Sequence, residues 1–519
     1  MELIQKPVHY TQEEKSIFDQ FYLDGEYNVP ESKEDVQRVV YSTAQMKAEE
    51  IRPVENYVKI AGKVYFCILY MTASGDPHPA ALEGSLPFEE MVYAQSSGNE
   101  TFYLRNVRTE FTASVVHSRK LSLRAMADME VGRERIRDEE LTEDIESEVP
   151  VCKKTQKMNL LRLAVSKKDT YRIKEEVTIP GTGESVGQLL FTDISVRRLD
   201  IRVGEDEVLL RGELAVFGMY LSAEEKTDWL TQEVPFEGRI LCEGARENMY
   251  YHIQQTLEDT LADIRADEDG EMRILGIEAT LSLRMDLYEE EETNLLTDIY
   301  SLQQNCVYET KETALEELLM QNQSKCRIAE RISLPELGGD VLQILHCQGS
   351  LQLESEQHTA EGIQAEGIMH LSFLYLRSDD AQPCGVWQGM VPFSWLIEYP
   401  DMPEEVNSSL TYHVEQLAVL PAGNEAVEVK AVLAFDVFLR KVLHVNVITE
   451  VQMEPFHMEE LEARPGVVGH IVQRGEDLWS LAKKYMTTVE RIMEVNDLSE
   501  EKISQGDKLL IFKENMSIL

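Results

Sequence analysis

Basic residues are scarce in this 519-residue chain: 50 lysines and arginines stand against 94 aspartates and glutamates, a net charge of −44. A field of that sign repels nucleic acid and anionic lipid, so neither suits the bulk of the chain as a partner. The imbalance is uneven. Residues 468–519 hold 9 acids and 7 bases, which leaves −42 on residues 1–467. Such a surface keeps a protein soluble and self-repelling, or it selects basic partners. Cysteine is also sparse, with seven residues (67, 152, 242, 306, 326, 347 and 384) and no Cys-x-x-Cys pair. Buried, reduced thiols are expected rather than a disulfide framework, and no spacing suggests zinc. Long apolar runs are missing, none approaching the roughly 18 residues of a membrane span. The start, Met1-Glu2-Leu3-Ile4-Gln5-Lys6-Pro7, has no cationic region ahead of an apolar core. The expectation is a chain without a transmembrane segment or a recognisable export signal, working in the cytoplasm.

Catalytic motifs are equally absent. There is no Gly-rich phosphate loop, no His-Glu-x-x-His and no Gly-x-Ser-x-Gly. Gly181-Thr182-Gly183 has no lysine after it, and the same place elsewhere reads Glu336-Leu337-Gly338 or Glu31-Ser32-Lys33, so it reads as a turn. In so acidic a chain, carboxylate spacing says nothing about acid–base catalysis. The eleven histidines are dispersed, and His78 between two prolines is the only unusual one. No enzyme, no cofactor and no metal site are expected.

What the chain does contain is a block repeated three times. Thr178-Ile179-Pro180 returns as Ser333-Leu334-Pro335 and, more loosely, as Asn28-Val29-Pro30. A glycine follows each proline 32 positions on, at Gly62, Gly212 and Gly367, and a tyrosine lies eight beyond it, at Tyr70, Tyr220 and Tyr375. Pro87-Phe88, Pro235-Phe236 and Pro392-Phe393 close the blocks. A period of about 150 residues makes each copy a domain rather than a solenoid repeat. After Gly62, the residues Val64, Phe66, Ile68 and Tyr70 alternate at period two, which predicts a strand with one buried face. The intervening positions turn apolar by Leu69, Met219 and Leu374, so the strand should become buried on both faces. A second alternating run closes each copy: Leu121, Leu123, Ala125; Leu275, Ile277, Ala279; Val427, Val429, Ala431. The boundaries read as 1–150 with a leader and an acidic hinge at 134–148, 151–300, and 301–460. Leu315, Leu318 and Leu319 are spaced as in a helix over 313–321, with a counterpart at 159–165.

After Arg464-Pro465-Gly466 the pattern changes. Residues 467–513 read as a small β-α-α-β module. Its first strand lies near 469–473. A helix follows with Leu478, Leu481, Ala482 and Tyr485 on one stripe. Thr487 and Glu490 are spaced as a capping box before a second helix burying Val489, Ile492 and Met493, and 508–512 is the returning strand. The fold class is therefore multidomain: three mainly β repeats followed by a small α+β domain.

Residues 470–485 (His470-Ile471-Val472-Gln473-Arg474-Gly475-Glu476-Asp477-Leu478-Trp479 and on to Tyr485), with Val495-Asn496-Asp497-Leu498 and Gly506-Asp507-Lys508-Leu509, resemble a LysM domain. The resemblance implies a groove for N-acetylglucosamine glycans between the loops 475–478 and 496–506. His470, Met486 and Gln505 depart from the usual aromatic, glycine and proline. The threefold block resembles the SPOCS domain (domain of unknown function 3794) of sporulation proteins. Three copies plus one LysM resemble the family of SpoIVA-interacting protein L and SpoVID, spore coat morphogenesis proteins. That implies a non-enzymatic scaffold on the mother-cell side of the forespore, tethering a SpoIVA-like coat ATPase and other coat proteins. The alternative is a cell-wall protein binding peptidoglycan, its glycan or a lipid-linked precursor. The residues implied in partner binding are Ile471, Gly475, Glu476, Asp477, Leu478, Trp479, Asn496, Asp497, Leu498 and Gln505. Trp479, about 100° round the helix from Leu478, reads either as a half-buried flank of the core or as an exposed anchor.

Overall fold

The computed structural model describes residues 2–75, 77–95, 98, 100–179, 185–337, 341–378, 384–423, 425–456 and 465–513. Pro180 and the Gly181-Thr182-Gly183 turn lie outside them.

Each repeat is six antiparallel strands. The first has β1 (Glu2–Asn28), β2 (Val36–Val54), β3 (Tyr57–Thr72), β4 (Pro79–Tyr93), β5 (Thr101–His117) and β6 (Lys120–Glu146). The second has β7 (Cys152–Thr178), β8 (Val186–Val203), β9 (Glu207–Ser222), β10 (Thr227–Leu241), β11 (Tyr250–Ala266) and β12 (Met272–Tyr300). The third has β13 (Asn305–Ser333), β14 (Val341–Thr359), β15 (Gly362–Arg377), β16 (Cys384–Glu398), β17 (Val406–Pro421) and β18 (Ala426–Glu454). In every copy the sixth strand lies between the first and fifth, and the third between the second and fourth. The two sheets pack into a sandwich around one apolar core. The predicted alternations fill it. Val64, Ile68 and Tyr70 are fully buried, and Leu69 and Met71 on the opposite face are nearly so. Leu121, Leu123 and Ala125 with their counterparts form the central strand of the other sheet.

The strand after the glycine begins five residues earlier than the sequence suggests, and the glycine lies inside it. Gly62, Gly212 and Gly367 pair directly with Phe88, Phe236 and Phe393. A Cβ at Gly62 would fall 2.0 Å from the Lys47 carbonyl oxygen, and one at Gly367 2.2 Å from that of Gln352. Glycine and Pro-Phe are thus two halves of one packing contact. The prolines sit in edge strands, where a missing N–H breaks no ladder.

Three readings of the sequence are corrected. The stretch read as a leader is β1 over Glu2–Asn28, and the stretch read as a charged hinge continues β6 to Glu146, the two pairing from Glu2↔Glu146 inward. Two of the apolar residues in that hinge stretch, Leu141 and Ile145, face a core and are buried, while Ile136 stays exposed. The segments 313–321 and 159–165 are strand, not helix. Register shifts fall between Leu318 and Met320 and beside Leu163. Each bulge inserts one residue into a period-two pattern, which mimics helical spacing. The acidic run at 289–292 is also strand, neutralised by β7: Lys157 bonds Glu292 at 3.0 Å and Arg162 contacts Glu289.

The repeats close into a pseudo-threefold ring. Equivalent side chains Leu69, Met219 and Leu374 meet with Tyr41, Phe191, Leu190 and Leu345 in a shared apolar cluster. Polar contacts join neighbours all the way round. Lys47 pairs with Asp259, Arg197 Nη1 donates to the Val414 carbonyl at 3.2 Å, and Arg108 meets His370 at 3.2 Å. Below this head, the ribbons β1/β6, β7/β12 and β13/β18 run together as a stalk. All six strands contribute to one cluster: Val8, Leu141, Leu160, Leu295, Leu315 and Val447. A second follows with Ile145, Leu296, Ile299 and Ile448. Between head and stalk lies a charged layer. Arg440 donates to Ser409 at 2.8 Å and Glu316 at 3.3 Å, and Ser409 donates to Glu13 at 3.2 Å. Arg284 touches Glu134 and stacks 3.7 Å above the Tyr103 ring.

At the foot of the stalk is the C-terminal module: β19 (Val467–Ile471), α1 (Leu478–Tyr485), α2 (Val489–Val495) and β20 (Lys508–Phe512). Among the described residues no helix is long and apolar enough to cross a membrane.

Candidate functional site

Two strands and two helices bring the sequence-predicted residues together. β19 and β20 pair antiparallel from Val467↔Phe512 to Ile471↔Lys508. Val472 then exchanges backbone bonds with Gly506 and Asp507, at 2.9 Å each, which sets the loop 472–477 beside the turn 504–507. Both loops need glycine: Gly475 and Gly506 have φ of 86° and 96°, a region costly for any residue with a Cβ. Glycine at 506 lets the turn form although Gln505 replaces the usual proline.

Most of the remaining residues in these loops hold the module together. Glu476 accepts from the Gln473 amide at 2.8 Å and pairs with His470 at 2.6 Å. Those bonds keep its carboxyl below the usual range. Asp477 caps α1, accepting from the Ser480 amide at 2.8 Å while Ser480 Oγ reaches back to the Asp477 amide. Burial alone would raise the Asp477 carboxyl, but Lys154 at 2.7 Å and Ser480 bring it down to about 2. Leu478 is buried with Leu481 and Ala482 in the module's core. The Asn496 side-chain amide braces the outer edge of β20, donating to the Leu510 carbonyl at 2.8 Å and accepting from the Leu510 amide at 2.7 Å. Asp497 takes φ 52° at the exposed turn, Leu498 is half-buried, and Gln505 is exposed. The cap of α2 is Thr488, accepting from Arg491 at 3.2 Å, and not Thr487, which is fully buried.

Ile471 belongs to a different surface. Alternation along β19 and β20 sends Leu509 and Ile511 inward and leaves Val467, Ile471, Leu510 and Phe512 outside, at 54, 53, 44 and 36 % exposure. Such a cluster on one small sheet is a binding surface in character.

Trp479 faces neither solvent nor the module's own centre. Its indole meets the Tyr300 ring edge-on at 4.9 Å, and its N–H donates to Asp298 at 2.8 Å. The Asp298 carboxylate also takes Lys483 at 2.5 Å and the Tyr308 hydroxyl at 2.7 Å. Burial would raise that carboxyl, but the three donors outweigh it and hold it below its ordinary value. Asp298, Tyr300, Tyr308 and Lys154 were not legible as site residues. They come from repeats 2 and 3, far from the module in sequence, and no spacing marks them. Among the described residues no His, Cys, Asp and Glu cluster is arranged to hold a metal. Shallow polar clefts of about 390 and 640 Å³ run along the exposed edge of β7.

Comparison with known families places two kinds of domain on this frame. Residues 470–512 match the LysM domain. Residues 185–265 and 340–420 match the family described as SipL, SPOCS domain, and these segments cover β8 to β11 and β14 to β17. No curated protein and no solved structure matches the chain. The chain thus combines SPOCS repeats with a C-terminal LysM domain, both binding domains rather than catalytic ones.

Proposed function

We propose that this chain is a non-enzymatic scaffold of the spore envelope whose LysM domain docks a coat basement-layer protein, an ATPase of the SpoIVA kind. It would act on the mother-cell side of the forespore surface. The observation that supports this reading most is the combination of domains: SPOCS repeats, associated with sporulation coat proteins, built into one rod that ends in a LysM. The surface left for a partner is the outer sheet face around Ile471 together with the adjoining loops at Gly475, Asp497, Leu498 and Gln505. Near-neutrality of the module removes the charge penalty that the acidic repeats impose on approach. No cofactor is needed for such a role.

The second reading is a peptidoglycan-binding wall protein. The LysM match favours it, since such domains bind N-acetylglucosamine glycans, and the glycines that shape both groove loops are retained. One pair of measurements separates the two: co-purification of the full chain from sporulating cells, and titration of the same protein with chitin oligomers. Recovery of the coat ATPase, lost on Ile471→Glu, supports the scaffold. Tight oligomer binding with no coat protein recovered replaces it with the wall reading.

A further inference from the structure

We infer that the LysM domain is latched to the stalk as a fixed end-piece, with Asp298 as the latch and Trp479 as the group it holds. This stands apart from what the module binds. The helix α1 has two faces. Leu478, Leu481 and Ala482 pack inward, and the adjoining face carries Trp479 and Lys483. That second face meets the stalk along its whole length. One carboxylate, Asp298 near the end of β12, receives the indole N–H, the Lys483 ammonium and the Tyr308 hydroxyl. Lys483 also lies 5.2 Å from the Tyr308 ring centroid. At the far end of α1, Tyr300 is buried, and its hydroxyl donates to the Thr487 carbonyl at 2.9 Å. At the near end, Lys154 bonds Asp477. The module's apolar core runs into the stalk without a break, taking in Tyr300, Cys152 and Leu302.

Two of the donors to this carboxylate, Trp479 and Lys483, reach it only while the module is docked. Undocking leaves the Trp479 ring exposed beside an uncovered Tyr300 and takes the indole N–H and the Lys483 ammonium from Asp298, which keeps only donors of the stalk, Tyr308 and the Ile299 amide. The helix face is therefore closed to outside ligands, and the orientation of the groove and of the Val467-Ile471-Leu510-Phe512 sheet face is set by the rod. Both β12 and β13 supply latch residues, so docking also reads whether the ribbons of repeats 2 and 3 are assembled.

The test uses the full chain labelled with 5-fluorotryptophan. Its four tryptophans give separable fluorine signals, and Trp479→Phe identifies one of them. In the wild type that signal should show a small water-to-deuterium isotope shift, as for a sheltered ring. In Asp298→Ala combined with Tyr300→Ala it should move, and its isotope shift should approach that of free fluorotryptophan. Hydrogen exchange at Leu509 and Ile511 checks that the module stays folded. If protection there is lost, Asp298→Asn, which keeps an acceptor oxygen but removes the charge, is read instead and should give an intermediate shift. A wild-type signal already as exposed as the free amino acid overturns the latch. So does a Trp479 signal unmoved in the folded variants.

Discussion

At the scale of single residues, the charged layer between head and stalk shows how three copies of one design come to differ. Tyr103, His252 and Ser409 pair with Gly132, Asp286 and Phe438 at the same place in their repeats. Glu134, Tyr288 and Arg440 lie two positions further along. Equivalent sites thus carry an acid, an aromatic and a base, each with its own partner: Glu134 meets Arg284, Tyr288 stacks on Phe438 and Arg440 bonds Glu316. Buried ionic groups of this sort serve register better than they serve stability. His252 gives the layer a pH dependence. Its ring is buried close to Phe438, Glu13 and Arg440, and burial, opposed by Glu13, leaves its pKa below the ordinary value. The unfolded chain takes up this proton near pH 6.5, whereas the folded chain does not. The His252 contribution to stability is therefore present at neutral pH and lost progressively as pH falls below about 6.5. His252→Gln should flatten the stability curve over that window in denaturant titrations, and a variant curve as steep as the wild type would rule out His252 as the proton acceptor.

At the scale of elements, the glycine of each repeat and its Pro-Phe partner form a unit that neither residue type explains alone. The strand β2 is bulged opposite β3, with a register shift between Ala48 and Glu50, and the backbone at Lys47 presses on Gly62. A methyl group has no room there, and the obstacle is backbone that cannot rotate away. Gly62→Ala should destabilise repeat 1 by about 1–3 kcal/mol, while Gly75→Ala, at a position with open space, should change little. Thermal melts of the two variants give the comparison. An equal effect at both positions would mean that β2 shifts freely to accommodate the methyl group.

At the scale of the whole molecule, the repeats are not beads joined by acidic hinges. Their first and last strands, 27 to 29 residues long, run the length of the rod, on the order of 90 Å at the usual rise per residue. Head, stalk and LysM domain follow one another along it, so a partner held at the LysM end lies far from the ring of sandwiches. Strands with buried partners open only with global unfolding. Limited proteolysis should therefore spare 134–146 and 289–300 while cutting more readily at the exposed turns of the head. Small-angle scattering should return an elongated particle. Early cleavage within 134–146 would show that the ribbons separate in solution.

The mainly β character of the repeats, their number, their inward-facing residues and the β-α-α-β order of the last module were all determined by the sequence. These rest on local periodicity and on glycine, proline and capping chemistry, which act over a few residues. Only the tertiary structure decided that 134–146 is a strand and that 313–321 is not a helix. A bulge or a run of charge obscures the period there, and pairing with a distant strand overrides it. The destination of Trp479 was decided at the same level. Its neighbours in the sequence allow both a core flank and an exposed anchor, and the choice between them belongs to Asp298 and Tyr300, brought to it by the folding of a stalk that no local pattern encodes.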